Sequence, residues 1–209
     1  MAEHFHALRI AEIVPETDEA NSIRFDVPAD LRERFAFRAG QHLTLRATID
    51  GEEVRRNYSL CTRPADGDWM VTVKRIGGGL FSNWVGDRLK AGDTLDVMPP
   101  HGSFTCEFDA AKSRHLVGIA GGSGITPVMS LVRTLLAEEP NSRFTLFYGN
   151  RDSLSIIFLE ALAALKNRFM EWTDESRAHL RCHQRFRLQL ARVEEIGRSA
   201  KILRAEWGA

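Results

Sequence analysis

The sequence predicts a two-part fold, an antiparallel Greek-key β-barrel followed by a partial parallel α/β domain. Short segments that alternate apolar and polar residues, with turn signals between them, fill residues 1–109, and this is typical of a small barrel. From residue 114 to residue 169 the pattern becomes strand, helix, strand, helix, which predicts parallel strands joined by crossovers. The composition agrees with a folded protein, because 44% of the 209 residues are apolar and 27% are charged.

The alternating segments of the first half locate the barrel strands. Ile23, Phe25 and Val27 fall on one face of the second segment, as a half-buried strand requires. Asp50 and Gly51 form a strong hairpin signal between the third and fourth segments. The predicted elements are strands over residues 6–14, 22–27, 42–49, 54–60, 69–76 and 94–98, and a short helix over residues 81–89.

The second half predicts two strand and helix pairs. A short apolar run at residues 114–120 leads through a glycine-rich loop at residues 121–124 into a helix that ends near residue 137. A second strand is expected over residues 144–148, followed by a helix over residues 153–169. The apolar stripe of that last helix consists of Ile156, Ile157, Leu159, Leu162 and Leu165.

Residues 170–209 depart from this pattern. Seven arginines occur in residues 171–209, no buried strand is evident, and residues 177–196 have a helical tendency. The tail is therefore interpreted as divergent and helical, and the parallel sheet is expected to have two strands with a bare edge beyond residues 144–148. Two explanations stay open, a truncated or frameshifted gene and a divergent docking helix; we favour the first.

Charge, hydropathy and cysteine usage exclude several classes. The 28 basic and 28 acidic side chains cancel, so no overall charge favours nucleic acid. The net charge is −5 over residues 1–110 and +5 over residues 111–209, which suits an anionic ligand in the second half. No run reaches the roughly 18 apolar residues of a membrane span. Three scattered thiols, Cys61, Cys106 and Cys182, favour a reducing, cytoplasmic location, and no metal site with convincing ligand spacing is predicted.

Three motifs carry chemical information. On a strand, Arg56 and Tyr58 share one face, where a guanidinium and a phenol suit a planar anionic ligand, although a solvated strand face explains them as well. The glycines at residues 77–79 expose backbone donors before a short helix, or else form a flexible turn. The loop at residues 121–124 lies between a strand and a helix, as a phosphate-binding loop does, but without the standard dinucleotide spacing.

In this order the motifs Arg-x-Tyr-Ser, Gly-Gly-x-x-Ser and Gly-Gly-Ser-Gly-Ile-Thr-Pro resemble those of the ferredoxin–NADP reductase superfamily, over residues 5–169. Within it the chain is similar to reductase components of bacterial multicomponent oxygenases. The resemblance implies a flavin domain that binds FAD, with FMN less expected, and electron transfer from NADPH or NADH to an acceptor protein such as a ferredoxin or oxygenase component. An alternative is a flavin-binding fragment with little turnover. An iron–sulfur cluster is not expected, because three separated cysteines cannot supply the four ligands.

The resemblance also implies roles for individual residues. Those implied at the flavin are Arg56 at the pyrophosphate, Tyr58 and Ser59 at the reactive ring, Val73 and Lys74 along it, and Gly78, Gly79 and Ser82 at the pyrophosphate. Those implied at the nicotinamide dinucleotide are Gly122, Gly124, Thr126, Asn150, Arg151 and Ser153. Tyr58 and Ser59 are the implied catalytic residues. Arg151 favours NADPH, because its guanidinium suits a 2′-phosphate.

Overall fold

A computed structural model of the chain describes residues 4–171, 183–184 and 186–192. Six strands form one antiparallel sheet in the order β4-β3-β6-β1-β2-β5. They are β1 (His6–Thr17), β2 (Ala20–Asp26), β3 (His42–Ile49), β4 (Glu52–Ser59), β5 (Trp69–Lys74) and β6 (Thr94–Val97). An antiparallel bridge between Leu60 and Val71 joins the end of β4 to β5, so the sheet closes into a barrel.

The connection of the strands is that of a Greek key. Strands β3, β4 and β5 follow one another around the barrel, and β6 returns to lie between β3 and β1. Asp50 and Gly51, at φ values of 51° and 86°, make the turn between β3 and β4. Both values lie in the left-handed region that a tight hairpin turn requires, so the predicted turn is confirmed.

The barrel interior is filled by the alternate side chains of its strands. Ile23, Val71 and Leu45 are fully buried, as the two-residue period predicts. Helix α1 (Leu80–Arg88) inserts Phe81 into the same core. The indole nitrogen of Trp69 donates a hydrogen bond of 2.7 Å to the carbonyl of Phe35, which satisfies its buried polar group.

The second domain has a parallel sheet in the order β11-β8-β7. Strand β7 (His115–Gly121) connects through helix α2 (Ile125–Glu138) to β8 (Arg143–Asn150), and β8 connects onward to helix α3 (Leu159–Arg168). Both strand pairs run parallel, so the predicted α/β architecture is confirmed. Gly118 allows the close approach of sheet and helix, because a Cβ there would lie 2.8 Å from the Phe144 ring and 3.1 Å from Val128.

The prediction of a two-stranded sheet and a helical tail is wrong over residues 186–192. Strand β11 (Phe186–Arg192) pairs in parallel with β8, from Phe186 opposite Phe144 onward. The physical reason is a two-residue alternation, since Phe186, Leu188 and Leu190 fall on one face and Phe186 is fully buried. Two short strands, β9 (Met170–Glu171) and β10 (His183–Gln184), pair antiparallel. The remaining residues of the predicted tail helix lie outside the described residues.

The helix predicted over residues 153–169 begins later than expected. A 3-10 turn at Ser153–Ser155 comes first, closed by a capping box in which the Asp152 carboxylate accepts from the Ser155 amide at 2.8 Å. Phe158 then adopts φ 63°, which interrupts the helical path before Leu159. Apolar periodicity predicted the burial of Ile156 and Ile157 correctly, but it placed them on a helix instead of a loop.

The two domains share a core at α2. The hydroxyl of Ser130 on α2 donates a 2.6 Å hydrogen bond to the carbonyl of Thr62, which follows β4. Buried side chains of the barrel, Cys61 and Met70 among them, belong to the same apolar cluster as Met129 of α2. The barrel and the α/β domain therefore meet through packed apolar groups and a buried hydrogen bond. No helix in the described part of the chain has the length and apolar character to cross a membrane.

Candidate functional site

A cleft of about 810 Å³ lies between the barrel and the α/β domain. Strands β4 and β5 bridge at Leu60 and Val71, and no further pairing joins them toward Arg56 and Lys74 in the described residues. Their diverging edges form one wall of the cleft, and the loop after β7 forms the other. The side chain of Val73 is buried in the barrel core, so this residue can present only backbone groups to the gap.

The predicted Arg-x-Tyr-Ser motif lies on the β4 wall. Arg56 is exposed and lines the cleft, whereas its neighbour Arg55 forms an ion pair of 2.8 Å with Glu53. Tyr58 is half-buried, and its ring centroid lies 5.9 Å from that of Phe81. Burial raises the pKa of Tyr58 to about 12 despite the opposing charge of Arg56, so the phenol remains a hydrogen-bond donor at neutral pH.

Ser59 lies beside a histidine pair that the sequence does not predict as part of the site. It is directly opposite His42 on β3, and His42 Nε2 lies 2.9 Å from His101 Nε2. Thr44 donates a 2.7 Å hydrogen bond to the Asn57 side-chain carbonyl next to this pair. Burial, and then the neighbouring His101, lower the pKa of His42. No local signal could identify the pair, because 59 residues separate its members.

The predicted Gly-Gly-x-x-Ser loop leads into α1. Gly78 adopts φ 74°, and a Cβ on Gly77 or Gly78 would meet open space. A Cβ on Gly79 would lie 2.6 Å from Ser82 Oγ, which explains the glycine there. The Ser82 hydroxyl is buried, accepts from the Ile76 amide at 3.2 Å and donates to the Gly79 carbonyl at 3.4 Å. Ser82 thus holds the loop in shape, and a direct contact of its side chain with a ligand stays a prediction.

The glycine-rich loop after β7 presents backbone to the cleft. A Cβ on Gly121 or Gly124 would meet nothing within 4 Å, so there is room for a ligand against this backbone. Gly122 adopts φ 49°, and its carbonyl accepts a 2.9 Å hydrogen bond from the hydroxyl of buried Tyr148. This bond anchors the loop to β8 and leaves the loop amides at the start of α2, where they suit an anion.

Two further predicted residues lie close to this loop. The Thr126 hydroxyl donates to the Ser123 carbonyl at 3.1 Å, and both residues line the cleft. Lys74 Nζ lies 3.9 Å from the position that a Cβ on Gly122 would occupy. A cation from the barrel therefore stands beside the glycine-rich loop of the α/β domain.

The three residues predicted after β8 lie outside the lining of this cleft. Asn150 is buried, and its amide nitrogen and oxygen have no hydrogen-bond partner among the described residues. Arg151 is exposed and pairs with Glu19, in the turn between β1 and β2. Ser153 borders a separate hollow of about 460 Å³. The structure thus divides the predicted residues between a central cleft and an outer region at the end of β8.

These features fit FAD together with a dinucleotide. Unpaired strand edges suit a flat ring that makes hydrogen bonds to backbone groups, and Arg56 and two open glycine loops suit phosphate groups. The orphaned amide of Asn150 lies at the carboxyl end of a parallel strand, where α/β sheets bind nucleotides. The cleft has room and donors for both groups.

Two domain families match the chain. Residues 8–106 match the oxidoreductase FAD-binding domain, and residues 119–201 match the oxidoreductase NAD-binding domain. The second match extends beyond residue 169, where the sequence motifs alone indicated that the resemblance stops. The prediction of FAD with a nicotinamide dinucleotide is confirmed at the level of the domains present.

Curated relatives include reductase components. One component of the 1,2-phenylacetyl-CoA epoxidase of Escherichia coli K12 is 47% identical over 165 residues, which are 79% of this chain and 46% of that protein. The ferredoxin reductase component of 3-ketosteroid-9-alpha-monooxygenase from Rhodococcus rhodochrous is 42% identical, over 78% of this chain and 46% of that protein. The chain thus spans about half the length of the curated relatives it matches.

Solved structures agree with the fold. Phthalate dioxygenase reductase is 26% identical with a TM-score of 0.69, over 94% of this chain and 54% of that chain. The FAD/NAD-binding domain of nitric oxide dioxygenase from Vibrio cholerae, 24% identical with a TM-score of 0.71, covers 88% of this chain and 72% of that chain and supports the fold alone. With an FAD-binding domain joined to an NAD-binding domain, the chain belongs to the ferredoxin–NADP reductase superfamily of FAD-dependent oxidoreductases.

Proposed function

We propose that the protein accepts hydride from NADPH or NADH on bound FAD and passes the electrons to an acceptor protein. The observation that carries the proposal is the cleft in which the diverging edges of β4 and β5 face the glycine-rich loop after β7. This arrangement joins a site for a flat ring and a site for a dinucleotide in one space. Hydride transfer needs the two rings in contact, and a shared cleft supplies that proximity.

The barrel residues bind and orient the flavin in this proposal. Arg56, exposed in the cleft, pairs with the pyrophosphate, and the donors of the loop at Gly78 and Gly79 add to that contact. Tyr58 packs against the ring system with a protonated phenol, and Ser59 donates a hydrogen bond near its reactive edge. When bound, FAD itself supplies hydride acceptance and the release of single electrons.

The α/β domain binds the electron donor. The open backbone at Gly122 and Gly124 holds the dinucleotide pyrophosphate, together with Thr126 at the start of α2. Asn150, with its unpaired amide, and Arg151 and Ser153 bind the adenosine end beyond β8. Relatives named as reductase components of monooxygenases support an oxygenase system or a ferredoxin as the acceptor. The free thiols Cys61 and Cys106 agree with a reducing, cytoplasmic location.

A second candidate is flavin binding with little turnover. Val117 and Ile119 on one face of β7 are 57% and 67% exposed, and β7 lies at the edge of the described sheet. A sheet supported on one face holds its ligand-binding loop less firmly. A displacement of about an ångström between reacting atoms can lower a rate by about a hundredfold.

Anaerobic stopped-flow spectroscopy separates the two functions. The full chain is loaded with FAD or FMN, the free flavin is removed, and bleaching of the flavin band is followed after mixing with NADPH or NADH. We expect FAD to bind more tightly than FMN and to be reduced within seconds or faster. Tight FAD binding without reduction by either donor would support the second candidate, and failure to bind either flavin would reject both.

A further inference from the structure

The turn between β1 and β2 of the barrel carries a carboxylate that contacts the α/β domain. Glu19 Oε2 pairs with Arg151 Nη2, just beyond the carboxyl end of β8. The same oxygen lies 3.8 Å from Lys74 Nζ. The backbone of Glu19 is held on both sides, because its amide donates to Thr17 Oγ1 at 3.2 Å and its carbonyl accepts from the Arg75 amide at 2.7 Å. The carboxylate is therefore presented by an anchored turn.

The surroundings of Arg151 are acidic. A recess of about 200 Å³ beside it is also lined by Asp18, Glu19 and Asp152. The Asp152 carboxylate is engaged in the capping of the 3-10 turn, where it accepts from the Ser155 amide. Asp18 and Glu19 are thus the carboxylates from the barrel that a second anion would meet at this guanidinium.

We propose that Glu19 is a specificity-determining residue, which competes with the 2′-phosphate of NADPH for Arg151 and so lowers the preference for NADPH over NADH. The inference rests on the proposed function, in which Arg151 meets the adenosine ribose. A 2′-phosphate carries up to two negative charges and takes a guanidinium as its partner. It must displace Glu19 from Arg151, and it experiences the repulsion of that carboxylate.

NADH meets a different situation. Its 2′-hydroxyl is neutral, needs no guanidinium and can donate a hydrogen bond to a carboxylate. The pair between Glu19 and Arg151 can therefore stay intact when NADH binds. Since Lys74 faces the same carboxylate oxygen, Glu19 keeps a cationic partner when NADPH takes Arg151.

The expected effect is moderate, because both partners are solvent-accessible. The side chains of Arg151 and Glu19 are 61% and 46% exposed. Ion pairs at such positions are weak, and salt screens the repulsion between exposed charges. We expect Glu19→Gln to tighten binding of a 2′-phosphate ligand by about threefold to tenfold at low ionic strength, with a smaller gain at high salt.

Calorimetric titration with the two adenosine halves tests the proposal without any flavin chemistry. The FAD-loaded full chain is titrated with adenosine 2′,5′-bisphosphate, which has the 2′-phosphate, and with 5′-AMP, which lacks it. The variants are Glu19→Gln, Arg151→Gln, the double variant and Asp18→Asn, the matched loss of a carboxylate in the same turn. Glu19→Gln should tighten the bisphosphate and leave 5′-AMP within about twofold, Asp18→Asn should have the smaller effect, and Arg151→Gln should abolish the gain.

Each alternative outcome overturns a distinct claim. Equal effects of Glu19→Gln and Asp18→Asn, an equal gain for both ligands, or no gain would reject the role of Glu19. Unchanged bisphosphate binding in Arg151→Gln would remove Arg151 from the adenosine site and would also reject the proposal. Normal nucleotide binding without flavin reduction would instead reject the proposed electron transfer and leave the role of Glu19 intact.

Discussion

The barrel and the α/β domain satisfy their strands in different ways. Every barrel strand has a neighbour on both sides, with the Leu60–Val71 bridge closing the ring, and the enclosed side chains form one core. The described α/β sheet has three strands, is packed on the face that meets α2, and exposes Val117 and Ile119 on the other. A closed sheet is stable through its own contacts, whereas an open one depends on fewer contacts and on its neighbours.

The site lies where both domains depart from regular pairing. In the barrel it uses the gap where β4 and β5 diverge, and in the α/β domain it uses the loop that ends β7. Backbone groups left unpaired at such places are available to a ligand. The difference between the domains therefore predicts that damage to the α/β core removes dinucleotide binding first, while the flavin site in the barrel persists.

The largest expected effect tests this separation. Phe186→Ala removes a fully buried ring that packs beside Phe144, and it should destabilise the α/β domain by about 3–5 kcal/mol. Hydrogen exchange should show lost protection in β8 and little change in β3. Gln189→Ala, an exposed position on the same strand, is the control. Equal loss of protection in β3 would show that the two domains unfold as one unit.

The next effect concerns the flavin site of the barrel. Arg56→Ala should weaken FAD binding by about tenfold to a hundredfold, because a charge-assisted phosphate contact contributes about 1.5–3 kcal/mol. Arg55→Ala should have little effect, since Arg55 pairs with Glu53 outside the cleft lining. Fluorescence titration of the apoprotein with FAD measures both. Equal losses in the two variants would contradict the placement of the pyrophosphate beside Arg56.

A smaller effect is expected at the contact between the domains. Ser130→Ala leaves the Thr62 carbonyl without its buried 2.6 Å hydrogen bond, and this should reduce the free energy of unfolding by about 1–2 kcal/mol. Urea denaturation of the apoprotein measures the loss. Thr126→Ala, whose hydroxyl bonds only within its own domain, serves for comparison. If the unfolding transition separates into two phases only in Ser130→Ala, this hydrogen bond couples the domains.

The smallest effect is a pH dependence in the barrel. Burial and His101 lower the pKa of His42 in the folded protein below its ordinary value of 6.5, so the unfolded chain binds the proton more readily. Stability should therefore fall as the pH drops below about 6.5, and the loss is complete only below the folded pKa. Thermal unfolding between pH 8 and pH 5 measures this slope. His42→Gln should flatten it, and His4→Gln, at an exposed position, should not.

Local patterns determine much of the fold. Alternation identifies the barrel strands, Asp50 and Gly51 identify a hairpin, and a glycine-rich loop after a strand identifies the start of α2. Each signal depends on the backbone preferences and burial of about ten neighbouring residues. The same patterns single out Arg56, Tyr58 and the loop glycines, and the structure brings these segments together at one cleft.

Contacts between distant segments depend on the tertiary structure. Strand β11 becomes a strand because β8 offers an edge for its alternating apolar residues, although its arginines suggest an exposed helix. The pairs His42 with His101 and Glu19 with Arg151 join residues that are 59 and 132 positions apart. Sequence periodicity describes which face of one element is buried, but it contains no information on which elements meet. The shape of the cleft and the acidic partner of Arg151 are therefore decided only when the barrel closes and the second domain packs against it.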